Sequence, residues 1–197
     1  MFANFRRLAR WAIGDRPKTF DQQYRDGHWE FLSALPELAH YSVVAGYCAF
    51  VRARSILDVG CGNGTLGGKL QYSNIDEYLG IDYSIEAINQ ANAQNISRKF
   101  SYYVADARKF VAAHQFEVII FNEVLYSIPY PRRLLDRYSR YLTPEGLFIV
   151  SIHSTQQKEK VWSVIERDVE VVDQVSVRHG GGTSWSIKLL RPRRHGG

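Results

Sequence analysis

Five short apolar runs decide what this chain can fold into. They fall at 55–59, 78–81, 102–104, 118–121 and 147–152, each followed by a longer mixed segment of helix-forming length. A strand that is apolar at successive positions is buried on both faces, and such strands, separated by helices, pair in parallel with helices covering both sides. Two later runs, 169–177 and 184–190, break the rhythm, because His179, Gly180, Gly181, Gly182 and Thr183 fill most of the gap between them. A parallel crossover needs a dozen or more residues, so these two runs form an antiparallel hairpin whose glycines supply the positive φ angles of the turn. The expected fold is α/β: five parallel strands plus a C-terminal antiparallel hairpin, with helices on both faces.

At 197 residues, 45% hydrophobic and 23% charged, the chain has the size and composition of one globular domain. It contains no uncharged apolar stretch of about 18 residues and no secretory leader pattern, so a cytoplasmic protein without stable membrane insertion is expected. Residues 55–197 carry the strand and helix alternation. Residues 1–54 read as a helical lid or cap, with Phe2, Phe5 and Trp11 among Arg6, Arg7 and Arg10, then Phe20, Tyr24, His28, Trp29 and Phe31. The first of these groups is also suited to peripheral contact with an anionic membrane surface. The net charge of +5 comes largely from the two ends, Arg191, Arg193 and Arg194 being the counterpart at the finish. Such ends serve as solvated tails or attract nucleic acid. Cys48 and Cys61, one in an apolar run and one in a glycine turn, are expected as free thiols. No Cys/His pair has zinc-ligand spacing, so no metal is expected.

The first apolar run, Ser55-Ile56-Leu57-Asp58-Val59, leads directly into Gly60-Cys61-Gly62-Asn63-Gly64-Thr65. Without Cβ atoms the backbone turns sharply and approaches a ligand closely, while the helix that follows offers free N–H groups. A dinucleotide fingerprint would place its third glycine at position 65, which is threonine, and no Gly-Lys-Ser or Gly-Lys-Thr closes the turn as in a P-loop.

The stretch Leu57-Asp58-Val59-Gly60-Cys61-Gly62-Asn63-Gly64 resembles the first motif of the class I, Rossmann-like, S-adenosylmethionine-dependent methyltransferases, in particular their small bacterial small-molecule members. The resemblance covers roughly 55–190, including the terminal hairpin. It implies S-adenosylmethionine as cofactor, leaving as S-adenosylhomocysteine. It further implies that Gly60, Cys61 and Gly62 pack beside the methionine part, with Asp58 orienting the loop or reaching the amino group. Asp82, 22 residues after Gly60, would accept the ribose hydroxyls, with Tyr83 beside it. Asp106 would take the adenine amino group and the Ala107 N–H a ring nitrogen, while Asn122 would complete the site and Tyr24 resembles the lid tyrosine of small members. Each aspartate taken singly would also serve as a helix N-cap.

The acceptor is expected over the end of the fourth strand, where Asn122-Glu123-Val124-Leu125-Tyr126 follows. This stretch lacks the two prolines of enzymes that methylate adenine or glutamine nitrogens. Glu123, His153 and Tyr126 are the candidate catalytic residues, the first two as proton acceptors, and Tyr126 with Tyr130 and Trp29 is also a candidate aromatic wall. The expected partner is a small-molecule acceptor presenting a hydroxyl or amine. The alternatives are a nucleic-acid methyltransferase, which the absence of an appended RNA-binding module disfavours, and a non-catalytic binding protein on the same fold. Neither acceptor identity nor oligomeric state is written in the sequence.

Overall fold

The computed structural model describes residues 16–155, 158 and 160–193. Its elements run α1 (Arg16–Arg25), a 3-10 turn (Glu30–Ser33), α2 (Leu35–Phe50), β1 (Ser55–Val59), α3 (Thr65–Leu70), β2 (Glu77–Asp82), α4 (Ile85–Gln94), β3 (Phe100–Val104), β4 (Phe116–Asn122), a 3-10 turn (Leu125–Ser127), α5 (Pro131–Ser139), β5 (Leu142–His153), α6 (Lys160–Ile165), β6 (Val169–Arg178) and β7 (Ser184–Pro192). The strands form one sheet in the order β3-β2-β1-β4-β5-β7-β6. The first five are parallel, and β7 enters antiparallel between β5 and β6. The predicted α/β sheet with its terminal hairpin is what the chain forms.

Strand periodicity divides the core in two. On one face Ile56, Val118, Ile120 and Ile149 pack with Tyr41, Val44 and Cys48 of α2 and with Leu66 and Leu70 of α3. On the other, Leu57, Val59, Ile119 and Phe121 pack with Leu134, Leu135 and Tyr138 of α5 and with Trp162 of α6. Burial on both sides explains why the sequence shows continuous apolar runs here and none of the alternation of a half-exposed strand. Helix α2 lies N-terminal to the expected boundary at residue 54 yet supplies part of the main core. Cys48 and Cys61 are free and buried.

One expectation fails. The segment between β3 and β4 forms no helix but a series of turns. The Asp106 carboxylate accepts the Arg108 backbone N–H at 2.9 Å, as an Asx turn does. The Arg108 and Phe110 carbonyls turn outward to the Arg137 guanidinium, and the Ala107 carbonyl accepts the Tyr138 hydroxyl. Docked on α5 in this way, the segment makes a single i to i+4 bond, Phe110 N–H to the Asp106 carbonyl at 2.9 Å, and does not continue as a helix.

The Phe2 to Trp11 group and Arg194 lie outside the described residues. Arg191 pairs with Glu170 at 3.2 Å, and Arg193 donates to the Val169 carbonyl at 3.2 Å, so these two basic residues brace the terminal hairpin. Among the described residues no helix is long and apolar enough to cross a membrane.

Candidate active site

The parallel strands end together on one rim, and the glycine turn forms its floor. Gly60 and Cys61 donate their N–H groups to the Ile81 carbonyl at 2.8 and 3.1 Å, tying the turn to the end of β2. Gly60, Gly62 and Gly64 all have positive φ, which side chains disfavour. A Cβ on Gly60 would lie 2.4 Å from Val124 Cγ2, and one on Gly62 would lie 2.7 Å from the Tyr24 hydroxyl. The turn is therefore walled by the β4 loop on one side and by Tyr24 of α1 on the other.

Asp82 stands at the end of β2, accepting the Gly62 N–H at 3.1 Å and the Ser84 N–H at 2.9 Å. Burial raises its pKa, opposed by these backbone donors. Tyr83 lies beside it under the ring of Phe20, 5.3 Å away. Asp106 is pulled toward the surface: Arg108 binds its carboxylate through Nη2 at 2.6 Å and holds its pKa below the ordinary value. The carboxylate assigned to adenine recognition thus already has a cationic partner.

Asp58 is buried on β1. Tyr78 donates its hydroxyl to Oδ2, while Oδ1 has no hydrogen-bond partner. Burial pushes its pKa up to about 7, and the Tyr78 bond opposes this. Asn122 Oδ1 is a second buried acceptor without a donor. Since Asp58 pairs with Ile120 in the β1–β4 register, Asn122 follows on the same sheet face one step further along. Two orphaned acceptors beside a bare glycine turn fit a ligand that brings N–H donors, such as the ammonium of an amino acid moiety. The residues present therefore fit S-adenosylmethionine.

Helix α1 covers the turn, and it is fastened to α4 and the end of β2. Asp21 accepts the Ser84 hydroxyl at 2.6 Å and the Glu86 N–H at 3.3 Å, Arg25 pairs with Glu86 at 2.8 Å, and Gln90 donates to the Tyr24 carbonyl at 3.3 Å. These polar partners have no motif and were not foreseen. Tyr24 is buried over the turn, and that burial raises its pKa. Trp29 stacks on Phe20 and Tyr24, with ring centroids 5.7 Å apart in each case, and lines a cleft of about 380 Å³ with Gly27, Asn63, Gln90 and Gln94. It packs with the aromatic residues of α1 and forms no wall with Tyr126. Tyr130 is 71% exposed, with Arg133 over its ring, and forms no wall either. His28 is exposed.

At the end of β4, Glu123 adopts φ +61, an uncommon conformation for a residue with a side chain. Its carboxylate accepts the Ser151 hydroxyl at 3.1 Å, the Tyr126 hydroxyl at 3.2 Å and the His153 backbone N–H. Loss of hydration raises its pKa to about 7, against the opposing field of Lys158. His153, at the end of β5, meets Trp185 edge-on at 5.8 Å, and burial together with Lys158 lowers its pKa to about 4. Glu37, His40 and Tyr41, all from α2, reach the same rim and were missed by the sequence reading. Their only signal is polar residues three and four positions apart within an apolar run.

The family described as "Methyltransferase domain" matches residues 51–183. A curated relative, the ubiquinone biosynthesis O-methyltransferase of Psychrobacter cryohalolentis, is 27% identical over 119 residues, which are 57% of this chain and 46% of that enzyme. The chain thus spans about half the length of the curated relatives it matches. Among solved structures, the N-methyltransferase NodS from Bradyrhizobium japonicum WM9, in complex with S-adenosylhomocysteine, superposes with a TM-score of 0.78 at 17% identity, covering 92% of this chain and 100% of that one. The plantazolicin methyltransferase BpumL, also bound to S-adenosylhomocysteine, gives a TM-score of 0.63 at 18% identity over 91% of this chain and 92% of that one.

Proposed function

This chain belongs to the methyltransferase-domain family, with S-adenosylmethionine as its cofactor, and from that premise we propose that it methylates a hydroxyl or amine of a small molecule with Glu123 as the proton acceptor. Bound on the glycine turn, the cofactor supplies a methyl group on a sulfonium. The chain must then orient the acceptor, exclude water and remove one proton. Asp58, Gly60, Cys61, Gly62 and Asn122 would hold the amino acid end, Asp82 and Tyr83 the ribose, and Asp106 and Ala107 the base, with Tyr24 closing over them.

The observation that carries this reading is the triply hydrogen-bonded carboxylate of Glu123, a residue with φ +61, at the rim of β4. A base with a pKa near the working pH combines the ionised form with real proton affinity. His153, with its pKa lowered to about 4, is a weaker base and acts as a neutral hydrogen-bonding group. Tyr126 keeps its proton and orients Glu123. The relatives named for O- and N-methylation support a hydroxyl or amine acceptor without choosing between them.

Incubation of the chain with methyl-labelled cofactor and cell extract separates the alternatives. The expected result is label in the low-molecular-weight fraction. Label confined to RNA, or no incorporation at all, overturns the small-molecule reading.

A further inference from the structure

The first turns of α2 meet the rim of β4, β5 and β7 in a polar nest. His40 is fully buried, and neither ring nitrogen has a hydrogen-bond partner. Its ring lies 4.2 Å from that of Tyr41 and 4.8 Å from that of Trp185, and its Nδ1 is 3.6 Å from Glu37 Oε2. A neutral imidazole always carries one N–H and one lone pair, and leaving both unpaired in a dry interior costs stability. Such a group is accounted for if a ligand completes it.

Across the nest, the Lys158 ammonium sits 3.7 Å from the centroid of the Tyr126 ring, in cation–π contact. It lies in the field of two carboxylates, Glu123 and Glu37. Both carboxylates are raised to about 7 by loss of hydration, and for both the Lys158 charge opposes the rise. An aromatic face, two carboxylates and an ammonium together define a site for a cation, and the chain's own lysine marks where that cation fits.

We propose that the methyl acceptor is an amine whose ammonium takes the place of Lys158 Nζ, against the Tyr126 ring and facing Glu37 and Glu123, with His40 completing its polar contacts. The inference rests on the methyl-transfer reading above and narrows its acceptor to one class. An ammonium replaces Lys158 charge for charge. A neutral alcohol would leave two carboxylates without their countercharge, and an anionic acceptor would be repelled. For transfer, R–NH3+ gives one proton to the Glu123 carboxylate and exposes its lone pair. The N–CH3 bond then forms as the S–CH3 bond breaks, with the S–C electron pair staying on sulfur. The product leaves as R–NH2+–CH3, and Glu123 returns its proton to solvent.

The test is isothermal titration of the chain loaded with S-adenosylhomocysteine, using benzylamine and benzyl alcohol as probes of equal shape, at about pH 8, where carboxylates of this kind are ionised. Benzylamine is expected to bind at least about tenfold more tightly than the alcohol. Lys158→Met, which removes the internal competitor, should tighten benzylamine binding by about tenfold, and the conservative Glu37→Gln should weaken it by about tenfold. These opposite responses would not come from general loss of structure. Equal binding of the two probes, binding of neither, or the same response from both variants overturns the proposal. Loading with S-adenosylhomocysteine is itself the control for the parent reading. If it fails, the methyltransferase reading fails; if it succeeds and the alcohol is preferred, only the amine assignment falls.

Discussion

Replacing Gly60 with alanine is expected to lower the unfolding free energy by about 1–3 kcal/mol and to weaken cofactor binding by at least about tenfold. The residue has φ +76, and the new methyl group would sit 2.4 Å from Val124 Cγ2 and 3.1 Å from Val124 Cβ. The valine branches directly at the backbone and cannot swing clear, so the turn or the β4 loop must move. Both carry the candidate site. Gly68→Ala is the matched control: it lies in α3, with nothing within 4 Å of its Cβ position, and should gain roughly 0.5–1 kcal/mol from helix propensity. Urea unfolding and S-adenosylhomocysteine titration of both variants check the pair. If Gly60→Ala behaves like Gly68→Ala, the turn is not the close-packed floor described above.

Glu123→Gln is expected to lower kcat by about 10²–10⁴-fold while leaving cofactor affinity within a few-fold of the parent. Glutamine keeps the shape, accepts one of the two hydroxyls that now donate to separate carboxylate oxygens and donates its amide N–H to the other, but it cannot take a proton. The pH profile carries the sign. With a pKa raised to about 7, the Glu123 carboxyl is protonated and inactive as a base below that value. Parent activity should therefore climb through pH 7 to a plateau. The residual activity of the variant should lack this limb. Retention of the limb in Glu123→Gln would assign the proton transfer to another group.

The sheet was legible because each central strand is buried on both faces, as 55–59 and 118–121 are, and a doubly buried strand announces itself as an apolar run. The hairpin was legible because its gap is too short for a crossover. The segment after β3 misled, since its helix-forming composition says nothing of Arg137 and Tyr138, which capture its carbonyls from a distant part of the chain. In the same way the motif places Asp106 at the end of β3 but carries no sign of its ion pair with Arg108, two residues on.

The glycine turn with Asp58 and Asp82 was visible as a motif because close backbone approach demands particular residue types at fixed spacing. Glu37 and His40 follow no such rule. They are ordinary polar residues in a helix, and only the docking of α2 against Trp185 and β5 turns them into part of a nest. Trp29 and Tyr130 show the converse. Aromatic character suggested a wall around the acceptor, but one stacks on Phe20 and Tyr24 of α1 and the other is exposed.

The central claim is that this chain holds S-adenosylmethionine on the turn between β1 and α3, with Asp82 at the edge of the site. Isothermal titration with S-adenosylhomocysteine tests it most directly. The account predicts saturable binding with a Kd below about 1 mM, weakened by at least about tenfold in Asp82→Ala. Absence of binding to the parent chain at millimolar concentration, or an unchanged affinity in Asp82→Ala, would contradict it.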